Sequence, residues 1–272
     1  MPDKMPKACV IIGAGASHDV WNEGAAHVNI PWQPPLATDL FDIGKHPEYA
    51  PILSRYPGAE FLSQYLGPVS AQGGHAIDEA LRDLAFHDDP RISKQFNQIP
   101  PYLRDLIYHT SRQYAPIPSC YIQLVIELLT TTPHEVLFLV LNYDDLLEIA
   151  LGRLASLTKE FQFKEIDDYI SPGRQAKVVK LHGSIDWFVQ MPHYDNDWAF
   201  AVGELKLSSL TDSPIWVIGD VTDAKIHRMP SSHDYSYPVI TAPLAGKGST
   251  ATVCPATHVQ VAKDFSGTAE NS

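Results

Sequence analysis

The spacing of apolar residues changes several times along the chain. From Ala8 to Ile12 the text A-C-V-I-I is a short, β-branched run that gives way at once to Gly13-Ala14-Gly15-Ala16-Ser17. That order predicts a buried strand turning tightly into a helix, the opening of an α/β sheet. Pro31 to Pro35, P-W-Q-P-P, is too rich in proline for regular structure, and Leu36 to Phe41 returns to a spacing suited to a short helix. The proline-rich loop is expected beside the end of the first strand. Between Tyr49 and Tyr114 the apolar spacing is helical, as in Phe61, Leu62, Tyr65, Leu66 and in Ile77, Leu81, Leu84, Ala85, so several helices occupy this stretch. A helix from about Cys120 to Leu129 leads to Pro133. Val136 to Leu141, V-L-F-L-V-L, then fits a parallel strand covered on both faces. Asp145 to Leu157 reads as a helix and Val178 to Leu181 as a shorter strand, the order of a right-handed crossover. Beyond Trp187 the pattern weakens. Pro214 to Gly219 and Pro238 to Thr241 read as further strands, Val259 to Phe265 as a short helix, and Ser266 to Ser272 as a small polar tail.

Composition narrows the class. Hydrophobic residues make up 44% and charged ones 19%, so a sizeable core is expected and wholesale disorder is excluded. A length of 272 residues suits one large domain, or one domain with an insertion. Twenty Lys plus Arg against 32 Asp plus Glu leave a net charge of −12, which argues against a dedicated nucleic-acid binder. Twenty-two prolines imply long loops and count against an all-helical bundle. The three cysteines, Cys9, Cys120 and Cys254, form no C-x-x-C pair, so neither a disulfide framework nor a four-thiolate zinc site is expected. Met1 to Lys7 is polar and no apolar run approaches about 18 residues. The expectation is a soluble, cytoplasmic chain in a reducing compartment, with no membrane contact.

Three stretches carry candidate chemistry, each at the end of an expected strand. In Gly13-Ala14-Gly15-Ala16-Ser17 the glycines permit close approach of phosphates, and the N–H groups of a helix start supply partial positive charge. A hydride-transfer fingerprint would need a third glycine where His18 stands, so a tight turn without a ligand stays open as an alternative. In Leu141-Asn142-Tyr143-Asp144-Asp145, Asn142 offers donor and acceptor and Asp144 a carboxylate, where open α/β sheets place ligands; a simple helix cap is the alternative. In Lys180-Leu181-His182-Gly183-Ser184-Ile185-Asp186-Trp187, a histidine followed by glycine can reach into a cleft, and histidine suits proton transfer near neutral pH.

Taken together, G-A-G-A-S, L-N-Y-D-D-L-L-E and K-L-H-G-S-I-D-W, in this order and spacing, resemble the sirtuin-like NAD-consuming family, and within it the bacterial antiphage-defence NADase branch. The resemblance covers about Val10 to Trp187 and extends to P-P-L-A-T-D-L-F at Pro34 to Phe41. It implies a Rossmann-like parallel sheet, one sirtuin-like NAD-binding domain over 1–272 with a helical insertion or cap at about 43–118. By similarity Gly13, Ala14, Gly15 and Ser17 hold the NAD diphosphate and nearby ribose, and Gly183 and Ser184 belong to the same binding surface. Asn142 orients the nicotinamide ribose or a water, Asp144 lies near the carboxamide, and His182 is the general base. NAD is the substrate.

Protein-deacylating sirtuins carry a four-cysteine zinc module that this chain does not supply, and a glutamine where Leu141 stands. No zinc is therefore expected, and NAD hydrolysis is favoured over acyl-lysine removal. The family's last adenosine-binding strand has no apolar counterpart after Phe265, so the domain reads as shortened or completed by a partner. The resemblance implies an immune effector that depletes NAD, working as a homo-oligomer or with a partner ATPase or Argonaute-like protein. A module that binds NAD, ADP-ribose or a partner without turnover is the alternative. His87-Asp88-Asp89 and His193-Tyr194-Asp195 invite a metal reading without ligand spacing to support it, and Trp21, Trp32 and Trp187 are candidates for walls of a cleft.

Overall fold

Strands separate into two sheets of different character. The computed structural model describes residues 7–25, 32–114, 120–131, 135–158, 161–191, 197–205, 213–229, 232, 234–241 and 253–267. Among these, β1 (Lys7–Ile12), β2 (Glu135–Val140) and β3 (Ala176–Lys180) lie side by side in that order, all parallel. Ile12 stands opposite Val140 and Val140 opposite Lys180, so the three strands end on one line. In the second sheet β4 (Gly183–Gln190) is central, flanked by β5 (Trp216–Val217) and β6 (Ser236–Ile240), both antiparallel to it. The architecture is mixed α/β, with a parallel sheet as expected.

Helices surround these sheets. α1 (Ala14–Ala25) follows β1 directly. Between 47 and 111 come a 3-10 turn at Pro47–Tyr49 and then α2 (Ala50–Leu53), α3 (Pro57–Ser70), α4 (Gly74–Ala85), α5 (Pro90–Phe96) and α6 (Ile99–Ser111). The several helices expected between Tyr49 and Tyr114 are therefore observed. α6 is buried along nearly its whole length and packs on β4 and β6, where each fully enclosed Leu contributes roughly 1.5–3 kcal/mol. α7 (Cys120–Ile126) continues as a π turn over Glu127–Thr131, α8 (Leu146–Thr158) joins β2 to β3, and α9 (Trp198–Gly203) starts at Asp197, whose carboxylate accepts the N–H groups of Ala199 and Phe200. α10 (Ala256–Gly267) lays Phe265 against Leu137 of β2 and Val179 of β3.

Four expectations change. β1 is half-exposed instead of buried: Cys9 and Ile11 point outward, because among the described residues β1 pairs on one side only and α10 packs on β2 and β3. Residues 36–41 form consecutive turns and no helix, since the Asp39 carboxylate takes the Leu36 N–H at 3.2 Å and the Lys45 ammonium at 2.6 Å. Pro214 to Gly219 contributes only the two-residue β5. The third motif does not end in a loop after a strand: it turns the corner from β3 into β4, which the apolar pattern did not announce.

No helix among the described residues is long and apolar enough to cross a membrane.

Candidate functional site

The ladders of the parallel sheet run one residue past the strands. Leu141 N–H donates to the Ile12 carbonyl at 2.8 Å and Leu181 N–H to the Val140 carbonyl at 3.0 Å. Asn142 and His182 are thus the first residues released at neighbouring strand ends, Asn142 beside α1. This is the carboxyl edge, where ligands of parallel sheets bind.

Two of the three motifs meet through side chains. Asn142 Nδ2 donates to Ser17 Oγ at 2.8 Å and to the Tyr121 hydroxyl at 3.3 Å. Ser17 Oγ in turn donates to Asp144 Oδ2 at 2.7 Å, and it lies 2.8 Å from the Tyr121 hydroxyl. Asp144 Oδ1 accepts the Leu146 N–H at 3.2 Å, so it caps α8 as well. All four side chains are buried. The exception to satisfaction is Asn142 Oδ1, an enclosed carbonyl oxygen with no partner among the described residues. Such an acceptor costs about 1–3 kcal/mol when left unpaired.

The third motif is tied in through backbone carbonyls and one enclosed ion pair. The Tyr143 carbonyl accepts Ile185 N–H at 2.9 Å and the Ser184 hydroxyl at 3.4 Å. The Lys180 ammonium, wholly enclosed, donates to the carbonyls of Asp144 and Tyr143 and pairs with Glu148 at 2.8 Å. Burial pushes the Glu148 carboxyl up to about 7, against the pull of Lys180, and raises Asp144 and Asp186 too. Tyr169 donates to Asp186 at 3.0 Å, and Asp145 pairs with Arg112 at 2.8 Å.

His182 stands apart from that network. Its Nδ1 lies 3.3 Å from Thr241 Oγ1, its carbonyl accepts the Thr241 N–H at 3.0 Å, and its ring centroid is 6.3 Å from that of Tyr143. Among the described residues no hydrogen bond joins it to Asn142 or Asp144. Partial burial lowers its pKa, which favours the neutral imidazole at pH 7.

The glycines divide into two kinds. Gly183 has φ +86°, and a Cβ there would fall 1.9 Å from the Val239 carbonyl oxygen, so the corner into β4 itself requires glycine. At Gly13 and Gly15 an added Cβ would meet nothing within 4 Å, and neither has positive φ. Neither packing among the described residues nor a left-handed turn explains them, and with the exposed Ala14 they leave space at the start of α1 that no described residue fills. Ser184 is fully enclosed and faces the Tyr143 carbonyl, not open space.

Other sequence candidates find ordinary roles. His87 Nδ1 accepts the Asp89 N–H at 3.0 Å and Asp89 caps α5. Trp187 is enclosed edge-on to Tyr169 at 5.3 Å, and the Trp32 carbonyl accepts the Tyr114 hydroxyl. His193, Asp195 and the side chain of Trp21 lie outside the described residues. The proline-rich loop does lie beside α1, with the Pro34 carbonyl 2.9 Å from His18 Nδ1. Sequence reasoning missed Tyr121, Lys180, Glu148 and Thr241. A tyrosine within the apolar helix C-Y-I-Q-L-V-I and a lysine ending a buried strand were the available signals. No protein-family model matches the chain, and no curated protein matches it.

Proposed function

We propose that this chain is an NAD⁺ glycohydrolase whose parallel strands form a Rossmann-like, sirtuin-like binding sheet. The observation that carries the reading is the enclosed, unpartnered Asn142 Oδ1 at the carboxyl edge, held by Ser17 beside the open start of α1. A ribose hydroxyl or an attacking water is the donor that this acceptor lacks. The N–H groups at the start of α1, above Gly13 and Gly15, suit a diphosphate.

On this reading the C1′–N bond of NAD⁺ breaks with its electron pair leaving on nicotinamide, which departs neutral. The oxocarbenium-like C1′ is stabilised by the Asn142 carbonyl dipole and the nearby Asp144 carboxylate. Water adds to C1′ and passes a proton to the neutral His182, giving ADP-ribose and one released proton. The wider reading is a cytoplasmic antiphage effector that depletes NAD as a homo-oligomer or with a partner ATPase or Argonaute-like protein.

One observation favours a second reading. Ser17, Asn142 and Asp144 spend most of their bonding capacity on one another, as in a rigid module that binds nucleotide without turnover. Incubating the full chain with NAD⁺, alone and with its partner, discriminates the two. Nicotinamide and ADP-ribose appearing in equal amounts support hydrolysis. Bound, intact NAD⁺ supports the binding module.

A further inference from the structure

Four hydroxyl, amide and carboxyl groups in the buried cluster can exchange hydrogen bonds in only one self-consistent direction when Asp144 is ionised. A serine hydroxyl carries a single proton. Ser17 donates that proton to Asp144, so towards both other neighbours it can only accept. Tyr121, 2.8 Å from Ser17 Oγ, must then be the donor of that bond, which leaves its own oxygen free to accept from Asn142 Nδ2 at 3.3 Å. The Ser17 and Tyr121 oxygens, 2.8 Å apart, thus stand together as acceptors on the Nδ2 side of the Asn142 carboxamide. Turning the amide over would set its oxygen against two oxygens that have no proton to offer. The unpartnered Oδ1 is thereby forced to the opposite side.

We propose that Tyr121 is a positioning residue for Asn142: its hydroxyl closes a one-way relay, Asn142 to Tyr121 to Ser17 to Asp144, that keeps the Asn142 carbonyl oxygen aimed at the ligand. This rests on the glycohydrolase reading for its consequence, and on the hydrogen-bond geometry for its substance. α7 thus supplies the site with a side chain from outside the three motifs. The enclosed ring anchors the hydroxyl, since Tyr121 is only 2% exposed.

The test uses Tyr121→Phe in the full chain, which keeps the buried ring and removes one oxygen. Side-chain amide resonances of Asn142 in asparagine-labelled protein are followed by NMR, and nicotinamide release is measured in parallel. In the unaltered chain the Asn142 side-chain amide facing Ser17 and Tyr121 should be protected from solvent exchange. In Tyr121→Phe it should exchange about five- to tenfold faster, and kcat should fall about tenfold with KM within twofold, the scale of one hydrogen bond. Exchange and kcat both unchanged in the variant, or unprotected protons in the unaltered chain, would overturn the proposal. A chain that releases no nicotinamide sinks the glycohydrolase reading alone, because the exchange rates still judge the relay.

Discussion

Two buried polar networks in this molecule differ in one respect that separates architecture from a site. Around Asp105, inside α6, both carboxylate oxygens are filled: Arg104 and the Ala224 N–H meet Oδ1 at 3.0 and 3.1 Å, and Arg55 and the Tyr56 hydroxyl meet Oδ2, each at 2.5 Å. Around Asn142 the donors are equally well used, yet among the described residues one carbonyl oxygen is left over and nothing fills the space at the two glycines at the start of α1. A completed network binds the chain to itself. An incomplete one, at the carboxyl edge of a parallel sheet, leaves a bond for something else to make.

The largest effect should come from breaking the completed network. Asp105→Ala leaves the enclosed Arg104 guanidinium without its carboxylate, while the partly exposed Arg55 keeps Asp223, and should cost about 3–5 kcal/mol in urea unfolding, because an unpaired enclosed charge is far worse than a lost contact. Next comes Gly183→Ala, where positive φ and the Val239 carbonyl together should cost about 2 kcal/mol or more and loosen the β4–β6 pairing, seen as faster amide exchange in both strands.

A pH titration of stability probes the charged shell beneath the site. Glu148 has a folded pKa raised above its unfolded value, so its stabilising contribution is complete below about pH 4.5 and is lost as pH rises through about 7. Lys180, Asp145 and Asp186 are the charged neighbours that shape that titration. Glu148→Gln should flatten this part of the stability curve. An unchanged slope would assign it to other groups.

The smallest effect sharpens the comparison most. Gly15→Ala lies in α1 with no described residue within 4 Å of the new methyl, so it should raise stability by about 0.5–1 kcal/mol while weakening NAD⁺ binding. Weaker folding with unchanged NAD⁺ binding would mean that glycine serves the helix start alone.

Much of the fold was legible where one period dominates. β2 is a continuous apolar run and α8 follows at helical spacing, so both sit within about a residue or two of their expected bounds. β4 was not legible, because Ser184 and Asp186 are buried polar residues that interrupt the apolar signal, and their partners Tyr143 and Tyr169 come from elsewhere in the chain. The turns at 36–41 imitate a helix in spacing, and only the carboxylate of Asp39 closing on Leu36 and Lys45 decides otherwise. Within the site, Asn142, Asp144 and Ser17 were readable as residues at strand ends. Their mutual bonding was not, since it spans more than a hundred positions and runs through Tyr121, which local spacing marks only as core. Gly183 was legible as a glycine, and the corner into β4, which the apolar pattern did not announce, adds a structural requirement for it.

The most direct measurement is nicotinamide release from NAD⁺ by the full chain, beside His182→Ala, across pH 5–9. Because burial keeps the imidazole pKa below its ordinary value of 6.5, release should be at its plateau by pH 7 and fall only in more acid solution, and it should vanish in the variant. Release that persists at full rate in His182→Ala, or no release from a chain that still binds NAD⁺, would contradict a His182-dependent glycohydrolase.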